Sequence, residues 1–166
     1  MHLRPYQQSD SAAICGWIGD ETSLYQWSAD RIGKFPLAPQ DLHEHYAPML
    51  GDPHFLPLTM VDAQETPVGH LLIRYPDASD TATVRFGFII LDPALRGKGN
   101  GIRMLRLAIE YAKQLGASRI TLGVFANNSR ARKCYESAGF RAVGDTEQYE
   151  MPVGVWDCLE MELSLK

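Results

Sequence analysis

The stretch Leu95-Arg96-Gly97-Lys98-Gly99-Asn100-Gly101-Ile102 lies between an apolar, β-prone run and a segment with helical periodicity. Its glycines allow a tight turn and let a ligand approach the backbone closely. Successive N–H groups in such a loop, together with the N-terminus of the next helix, suit an anion such as a pyrophosphate. Arg96, Lys98 and Arg103 add positive charge. The stretch therefore predicts a phosphate-binding turn from strand to helix.

Two common phosphate-binding motifs do not fit this stretch. The dinucleotide motif G-x-G-x-x-G needs a third glycine where Ile102 or Met104 stands, depending on its start. The P-loop motif needs Ser or Thr after its Gly-Lys pair, and here Gly99 follows that pair. The pattern that fits is R-x-x-G-x-G, which starts at Arg96. Taken alone it is weak, because glycine-rich loops also serve simply to turn the chain.

Two further patterns flank the glycine loop. Ile90-Leu91-Asp92-Pro93 closes the strand before it, and N-x-x-A-x-x-x-Y-x-x-x-G-F runs from Asn128 to Phe140 after the next predicted strand. In this order and at this spacing, the three patterns resemble the GNAT superfamily of N-acetyltransferases. The resemblance covers roughly Phe86 to Phe140 through these motifs and extends to the flanks through the order of the elements.

The resemblance implies acetyl-CoA as co-substrate, with no metal. In the family, the strand before the glycine loop has a bulge and presents backbone groups to the thioester and pantetheine. The loop amides bind the pyrophosphate, and an asparagine binds the pantetheine arm. The residues that the resemblance assigns to acetyl-CoA are Ile89, Ile90, Leu91, Arg96, Gly97, Lys98, Gly99, Asn100, Gly101, Ile102 and Asn128. It assigns the general acid to Tyr135, whose hydroxyl would protonate the departing CoA thiolate.

Structural alternatives stay open for the residues of the last pattern. Tyr135 could be a core tyrosine whose hydroxyl is bonded within the chain, and Asn128 could be only a helix cap. Cys134 is expected to pack, because no nearby Cys–His arrangement would activate it as a nucleophile. Three cationic side chains of this helix could face solvent or reach the 3′-phosphate of the adenosine: Arg130, Arg132 and Lys133.

The sequence does not single out a general base. Acetyltransferases of ribosomal-protein alanine termini often carry a glutamate in an L-E-V setting, in the strand after the glycine-loop helix. Here the matching run is Leu122-Gly123-Val124, so that carboxylate is missing. An ammonium substrate must still lose a proton before its nitrogen attacks a thioester. The open candidates are a water chain and the side chains of His70, Glu147, Glu150, Asp157 and Glu160.

Periodicity and turn residues predict a single domain over residues 1–166 with an α/β (α+β mixed), GNAT-like fold. Strands are expected at 3–5, 55–61, 68–75, 81–91, 119–125, 140–149 and 155–165. Helices are expected after Ser9 or Asp10, from Pro39 to about Leu50, and at 101–115 and 130–138, while residues 20–38 fit neither element. The crossover predicts one parallel pair in a mostly antiparallel sheet of six to seven strands, flanked by about four helices.

Composition excludes several classes of protein. The 166 residues are 45% apolar and 22% charged, which is ordinary for a globular protein. No apolar run reaches ~18 residues, and a polar stretch follows Met1, so neither a membrane span nor a signal peptide is predicted. Three cysteines without disulfide or zinc spacing indicate a reduced protein, and we expect a cytoplasmic location. A homodimer and a monomer both stay open.

The net charge of −4 is unevenly distributed along the chain. Residues 1–80 carry −7, residues 81–141 carry +8 and residues 142–166 carry −5. This split predicts a polyanion bound by the middle and a cationic acceptor, either a small amine or a peptide or protein amine, bound by the flanks. Nucleic-acid binding is disfavoured, because the basic block is the cofactor loop itself. Aromatic side chains could line the acceptor pocket or cover the sheet: Tyr25, Trp27, Phe35 and Tyr46.

Two functions from different classes fit the sequence. The first is an acetyl-CoA-dependent N-acetyltransferase that works by direct transfer in a ternary complex, with a backbone amide near Ile90–Leu91 stabilising the oxyanion. The alternative is a catalytically silent acyl-CoA-binding module with a regulatory role. The presence of Tyr135 favours the enzyme, while the lack of an obvious base keeps the alternative open.

Overall fold

The structure, a computed structural model, describes residues 1–166, which form one seven-stranded sheet and five α-helices. The strands are β1 (His2–Pro5), β2 (Phe55–Val61), β3 (Pro67–Arg74), β4 (Thr83–Leu91), β5 (Arg119–Phe125), β6 (Arg141–Met151) and β7 (Gly154–Ser164). The helices are α1 (Ser11–Gly16), α2 (Glu21–Ser28), α3 (Pro39–Tyr46), α4 (Asn100–Gln114) and α5 (Ser129–Ser137). The order in the sheet is β1-β2-β3-β4-β5-β7-β6, and only β4 and β5 pair in parallel. The predicted fold class is confirmed.

Helix α2 lies in the stretch that the sequence left unassigned. Asp20 caps it, since its carboxylate accepts the backbone N–H of Ser23 at 2.7 Å. The large side chains Leu24, Tyr25 and Trp27 are all buried in the same core. The helix has only eight residues, so its apolar periodicity is too short for a clear sequence-based prediction.

Helix α3 is shorter than predicted. It ends at Tyr46, and a single 3-10 turn, Ala47–Met49, follows. Pro48 within that turn has no N–H to continue the α-helical ladder. Leu50, expected near the end of the helix, therefore lies outside it, and 41% of its surface is exposed.

Strands β4 and β5 diverge soon after they meet. They pair only from Thr83↔Arg119 to Arg85↔Thr121, so a gap opens between their remaining residues. Strand β4 also carries a bulge opposite β3, where the pairing shifts by one residue, and Phe88 within it has a φ of 48°. The resemblance to the GNAT superfamily implied a bulge in this strand, and the structure has one.

The bulge reverses the faces of β4. Before it, Val84 and Phe86 pack into the core beneath α4 and α5. After it, Phe88 and Ile90 pack into the opposite core, beneath α1, α2 and α3. An extra residue shifts the alternation of side chains by one, which exchanges the two faces of a strand. Val84 and Phe86 thus pack into one core before the gap begins, and Phe88 and Ile90 pack into the other core where the gap is open.

Asp10 joins the first helix to the sheet instead of capping α1 with its side chain. Its carboxylate, almost fully buried, accepts from the Arg4 guanidinium at 2.8 and 2.9 Å, from Thr59 at 2.8 Å and from the Gln7 N–H at 2.9 Å. Burial alone would raise the pKa of Asp10, but these hydrogen bonds, that of Arg4 foremost, lower it overall. Because the folded pKa is depressed, Asp10 stabilises the fold above pH 3.8, and this stabilisation is lost as the pH falls further.

Asp10→Asn is expected to destabilise the protein by about 3 kcal/mol, because it leaves Arg4 partly buried without its charge partner. Urea unfolding at pH 7 measures the change, and the gap to wild type should narrow below about pH 4. Glu162→Gln is the matched control, since its ion pair with Arg119 is largely exposed and should be worth less than about 1 kcal/mol. Equal unfolding midpoints for wild type and Asp10→Asn would contradict this role.

No helix of the structure combines the length and the apolar character that a membrane span requires.

Candidate active site

A cavity of about 610 Å³ occupies the gap between β4 and β5. Residues 86–91 of β4 and Gly123-Val124 of β5 form two of its walls, and the glycine loop, α2, α4 and α5 supply the remaining lining. None of the lining residues is Asp or Glu, whereas Arg96, Arg130 and Lys133 are cationic. The charge of this first cavity therefore suits an anionic ligand.

The glycine loop offers open backbone to the first cavity. Gly97 and Gly99 have φ values of 75° and 80°, and a Cβ at either position would meet no atom within 4 Å. Gly99 is the N-cap of α4, whose first N–H groups have no partner within the helix. Gly101 has a different role, because a Cβ there would lie 3.2 Å from the sulfur of Cys134. Gly101 thus allows α4 and α5 to pack closely, and Cys134 packs as expected.

The polar side chains of the loop bind the loop itself. Lys98 Nζ donates to the Ala94 carbonyl at 3.4 Å and Asn100 Nδ2 to the Leu95 carbonyl at 3.1 Å, and neither residue lines the cavity. The Arg96 guanidinium does line it, but donates to the Leu91 carbonyl at 3.0 and 3.3 Å. Burial, aided by the charge of Arg130, lowers the pKa of Arg96. What the loop presents to a ligand is therefore mainly its backbone.

The end of β4 lines the cavity with Ile89, Ile90 and Leu91. The side chain of Ile90 is buried in the core beneath α1, α2 and α3, so this residue can offer a ligand its backbone more readily than its side chain. The Leu91 carbonyl is already bonded to Arg96. Ile102, at the start of α4, also lines the cavity.

The start of α5 faces the same cavity. Asn128 caps the helix, since its Oδ1 accepts the N–H of Ala131 at 3.4 Å, and it also lines the cavity. The three cationic side chains of α5 divide into two groups. Arg130 and Lys133 line the cavity, whereas Arg132 does not and instead pairs with Glu136 at 2.9 Å.

Tyr135 lines the first cavity although only 7% of its surface is exposed. Burial, with a smaller effect of Cys134, raises the pKa of its hydroxyl above the ordinary value of 10.0, and no hydrogen bond contributes to the shift. The hydroxyl is therefore protonated throughout the neutral range. The alternative that Tyr135 is only a core residue required its hydroxyl to be hydrogen-bonded within the chain. The pKa shift is caused by burial and by Cys134, and not by such a hydrogen bond.

None of the candidate bases from the sequence lines the first cavity or the second, smaller cavity described below. His70 is buried and its Nε2 is 2.8 Å from the Tyr46 hydroxyl, and burial lowers its pKa to about 3. Glu160 accepts from the Arg85 guanidinium at 2.5 and 3.1 Å. The other three are exposed and line neither cavity: Glu147, Glu150 and Asp157. No group of three or more His, Cys, Asp or Glu side chains is placed to hold a metal ion.

A second cavity of about 260 Å³ adjoins the first. The two share six lining residues, among them Trp27, Phe88 and Gly123. The indole N–H of Trp27 is buried without an acceptor in the chain, so the boundary of the two cavities carries an unused donor. Of the other aromatic residues considered, Tyr25 and Tyr46 cover the sheet, and Phe35 is partly exposed outside both cavities.

The basic residues of the second cavity were not found from the sequence. They are Arg31, His45, Arg74 and Arg85, and none of the lining residues is Asp or Glu. Burial, aided by the charge of Arg31, lowers the pKa of His45, so its imidazole is neutral at pH 7. No acidic residue of the two flanks therefore lines this cavity. The sequence did contain a usable signal. Arg74 and Arg85 lie inside predicted strands, where a charged side chain is unusual unless it has a partner or a ligand.

Residues 21–140 match the family model described as "Acetyltransferase (GNAT) family". The matched stretch contains β4, the glycine loop, β5 and Tyr135. The chain belongs to this family, as the motifs predicted.

Individual relatives match over parts of their length. A stretch of 81 residues, 49% of this chain, is 41% identical to N-acetylaspartate synthetase of Danio rerio and covers 29% of that protein. A stretch of 141 residues, 81% of this chain, is 28% identical to mycothiol acetyltransferase of Beutenbergia cavernae and covers 46% of it. The chain thus spans less than half the length of these two relatives.

Solved structures agree on the fold. The spermidine N-acetyltransferase from Vibrio cholerae, in complex with CoA and spermine, superposes with a TM-score of 0.80 at 21% identity, covering 98% of this chain and 94% of that one. At this identity the likeness concerns the fold alone.

Proposed function

We propose that the protein transfers the acetyl group of acetyl-CoA to the nitrogen of an amine. The observation that carries this proposal is the first cavity, which places a glycine loop, a helix N-terminus and the Tyr135 hydroxyl around the gap in the sheet. The family membership supports the same chemistry. The relatives are named for different products or acceptors, so their names do not select the acceptor of this chain.

The residues present fit acetyl-CoA. The open backbone at Gly97 and Gly99 leaves space for a pyrophosphate beside the unpaired N–H groups of α4. Arg130 and Lys133 supply positive charge for the remaining phosphate of the nucleotide. Asn128 keeps donors free for the pantetheine amides, because its helix cap uses only its Oδ1 as an acceptor.

The chemistry needs a proton donor and a proton acceptor. Acetyl-CoA supplies the acetyl group as a thioester: the amine nitrogen bonds to the carbonyl carbon, and the C–S bond breaks. Tyr135 donates a proton to the sulfur, and the raised pKa keeps that proton in place until the bond breaks. An ammonium acceptor loses two protons in all. One leaves before the nitrogen attacks, and no carboxylate of the two cavities is available to take it. The other leaves after the attack and replaces the proton that Tyr135 gave to the sulfur.

His45 is the side chain that fits the second requirement. It lines the second cavity and is the one lining group with a neutral basic nitrogen at pH 7. Cys158 and Tyr149, which also line that cavity, have raised pKa values and stay protonated. Burial, aided by the charge of Arg31, keeps the pKa of His45 below its ordinary value of 6.5, so the imidazole is free to accept a proton at pH 7.

His45→Gln is expected to lower kcat at pH 7, by less than the roughly 10²-fold typical of a general base, because solvent can deprotonate part of the amine before binding. The deficit should shrink as the pH rises and more of the amine is already neutral. Rate profiles from pH 6 to 10 for wild type and variant measure this. Profiles that stay parallel over the whole range would contradict a role of His45 in proton removal.

A direct assay separates the enzyme from a silent acyl-CoA-binding module. The purified protein is incubated with acetyl-CoA and a panel of amines, and released CoA thiol is measured. An enzyme releases thiol in proportion to an acetylated product that mass spectrometry detects. A binding module is stabilised by acetyl-CoA in a thermal unfolding assay but releases no thiol with any amine.

A further inference from the structure

Three arginines from different parts of the chain converge on the second cavity. Arg31 follows α2, Arg74 ends β3 and Arg85 lies in β4, and all three line the cavity. We call these three residues the arginine cluster. No acidic side chain lines the same cavity, and none of the eight ion pairs of the structure involves Arg31 or Arg74.

The sheet places two of these charges directly opposite each other. Arg74 pairs with Arg85 across the antiparallel strands β3 and β4. Like charges at directly opposed positions destabilise a sheet. Burial lowers the pKa of Arg74, the charges of Arg85 and Arg31 lower it further, and the charge of Glu160 offsets this only in part, so the pKa of Arg74 is lowered overall. An anion bound between these charges would relieve the repulsion.

The partner of Arg85 neutralises the cluster only in part. Glu160 of β7 accepts two hydrogen bonds from Arg85 but does not line the cavity, and it pairs with neither of the other two arginines. One carboxylate against three guanidinium groups leaves a net positive charge that faces the cavity. Arg74 keeps its full set of donors for a ligand.

Gly123 is part of the same arrangement. A Cβ at this position would lie 3.0 Å from Nη2 of Arg85, so the missing side chain leaves room for the guanidinium. Gly123 also lines both cavities, at the gap where the sheet opens. The Arg85 guanidinium therefore occupies the space into which a side chain at position 123 would project.

We infer that the arginine cluster binds a carboxylate of the acceptor, so that the preferred acceptor is a small amine carrying a carboxylate, such as a free amino acid. The inference rests on the proposed acetyl transfer. Guanidinium groups bind carboxylates through paired, charge-assisted hydrogen bonds. A carboxylate held at the cluster directs the amine towards the residues shared by both cavities, beside the first cavity and its thioester. The volume of about 260 Å³ suits a small molecule.

The test compares matched acceptors. The twenty L-amino acids, their α-carboxamides and spermidine are each supplied with acetyl-CoA, and released thiol gives kcat/KM. The wild type should prefer at least one acid over its own amide by about tenfold or more, because a hydrogen bond to a charged group is worth about 1.5–3 kcal/mol. Spermidine, which carries no carboxylate, should be a poor acceptor.

Arg74→Gln identifies the residue responsible. It should lower kcat/KM for the acid by about 10- to 100-fold, mainly through KM, and remove the preference for acid over amide. Its thermal stabilisation by acetyl-CoA should match that of the wild type, which shows that the variant is folded. Arg119→Gln is the matched control, since Arg119 is a strand arginine that pairs with Glu162 and lines neither cavity. It should keep the preference.

Binding measured without turnover separates this inference from the proposed function. The preferred acid, tested with CoA present, should raise the unfolding temperature of the wild type and not that of Arg74→Gln. If the acids bind in this way but no amine is acetylated, the proposed function fails and the carboxylate site stands. If amides or spermidine are acetylated as well as the acids, or Arg74→Gln lowers all rates equally, the carboxylate site is refuted while acetyl transfer stands. A wild type that shows neither acid preference nor stabilisation by any acid also refutes it.

Discussion

Tyr135→Phe is expected to lower turnover by about 10²-fold or more while leaving acetyl-CoA binding intact, because a positioned general acid contributes on this scale. The substitution removes only the hydroxyl, so the ring still fills its site against Phe140 and the core beneath α4 and α5. Steady-state kcat with the best amine acceptor, measured from released thiol, tests the expectation. The thermal shift produced by acetyl-CoA should equal that of the wild type.

The pH dependence adds a second check on Tyr135. Burial raises the pKa of its hydroxyl, so the acid keeps its proton well above neutral pH and should produce no loss of activity on the alkaline side up to about pH 10. Wild-type activity that declines between pH 8 and 9, with a decline that disappears in Tyr135→Phe, would contradict this protonation state. A turnover unchanged by the substitution would return Tyr135 to the hydrophobic core alone.

The sequence predicted the elements whose signals are local. Strands β2 and β5 begin and end as expected, since each is a short apolar run bounded by turn residues or polar positions. The glycine loop and the cap of α5 were also placed correctly, because φ > 0 at Gly97 and Gly99 and the cap at Asn128 are properties of single residues.

The second cavity could not be predicted in the same way. The opposition of Arg74 and Arg85 depends on the register of β3 and β4, and the bulge at Phe88 shifts that register within the pair. Arg31 follows α2, the eight-residue helix that the sequence left unassigned. Only the folded sheet brings these charges together, so counting charges along the chain missed them.

The charge of a sequence block is also a poor guide to the charge of a cavity. Residues 1–80 carry −7, yet the two charged side chains that this block places in the second cavity at pH 7 are Arg31 and Arg74. Asp10, for example, is an acidic residue of this block that is buried and accepts hydrogen bonds from Arg4 and Thr59, so its charge does not face a cavity. The electrostatic field in a cavity depends on where the charged side chains lie in space, because salt screens their effect over roughly 8–10 Å.

Gly99→Asp is expected to abolish the stabilisation of the protein by acetyl-CoA. Gly99 has a φ of 80° at the N-cap of α4, and the space beside it is open to the first cavity. A carboxylate at this position would occupy the place of the pyrophosphate and compete for the same N–H groups. At a ligand concentration of about 100 times Kd the wild type should gain about 2.7 kcal/mol, seen as a higher unfolding temperature, and the variant should gain nothing.

Two further glycine variants separate charge, size and backbone strain in this prediction. Gly99→Asn adds a side chain of the same size without charge, and Asn tolerates positive φ comparatively well, so it should keep part of the acetyl-CoA stabilisation that Asp loses. Gly116→Asp places the same strain at another open glycine, with a φ of 88°, outside both cavities. It should lower the unfolding temperature and keep the full shift with acetyl-CoA. Equal shifts for wild type and Gly99→Asp would instead show that the pyrophosphate lies elsewhere. A negative charge at the first turn of α4 would weaken the binding of any anion held by that turn.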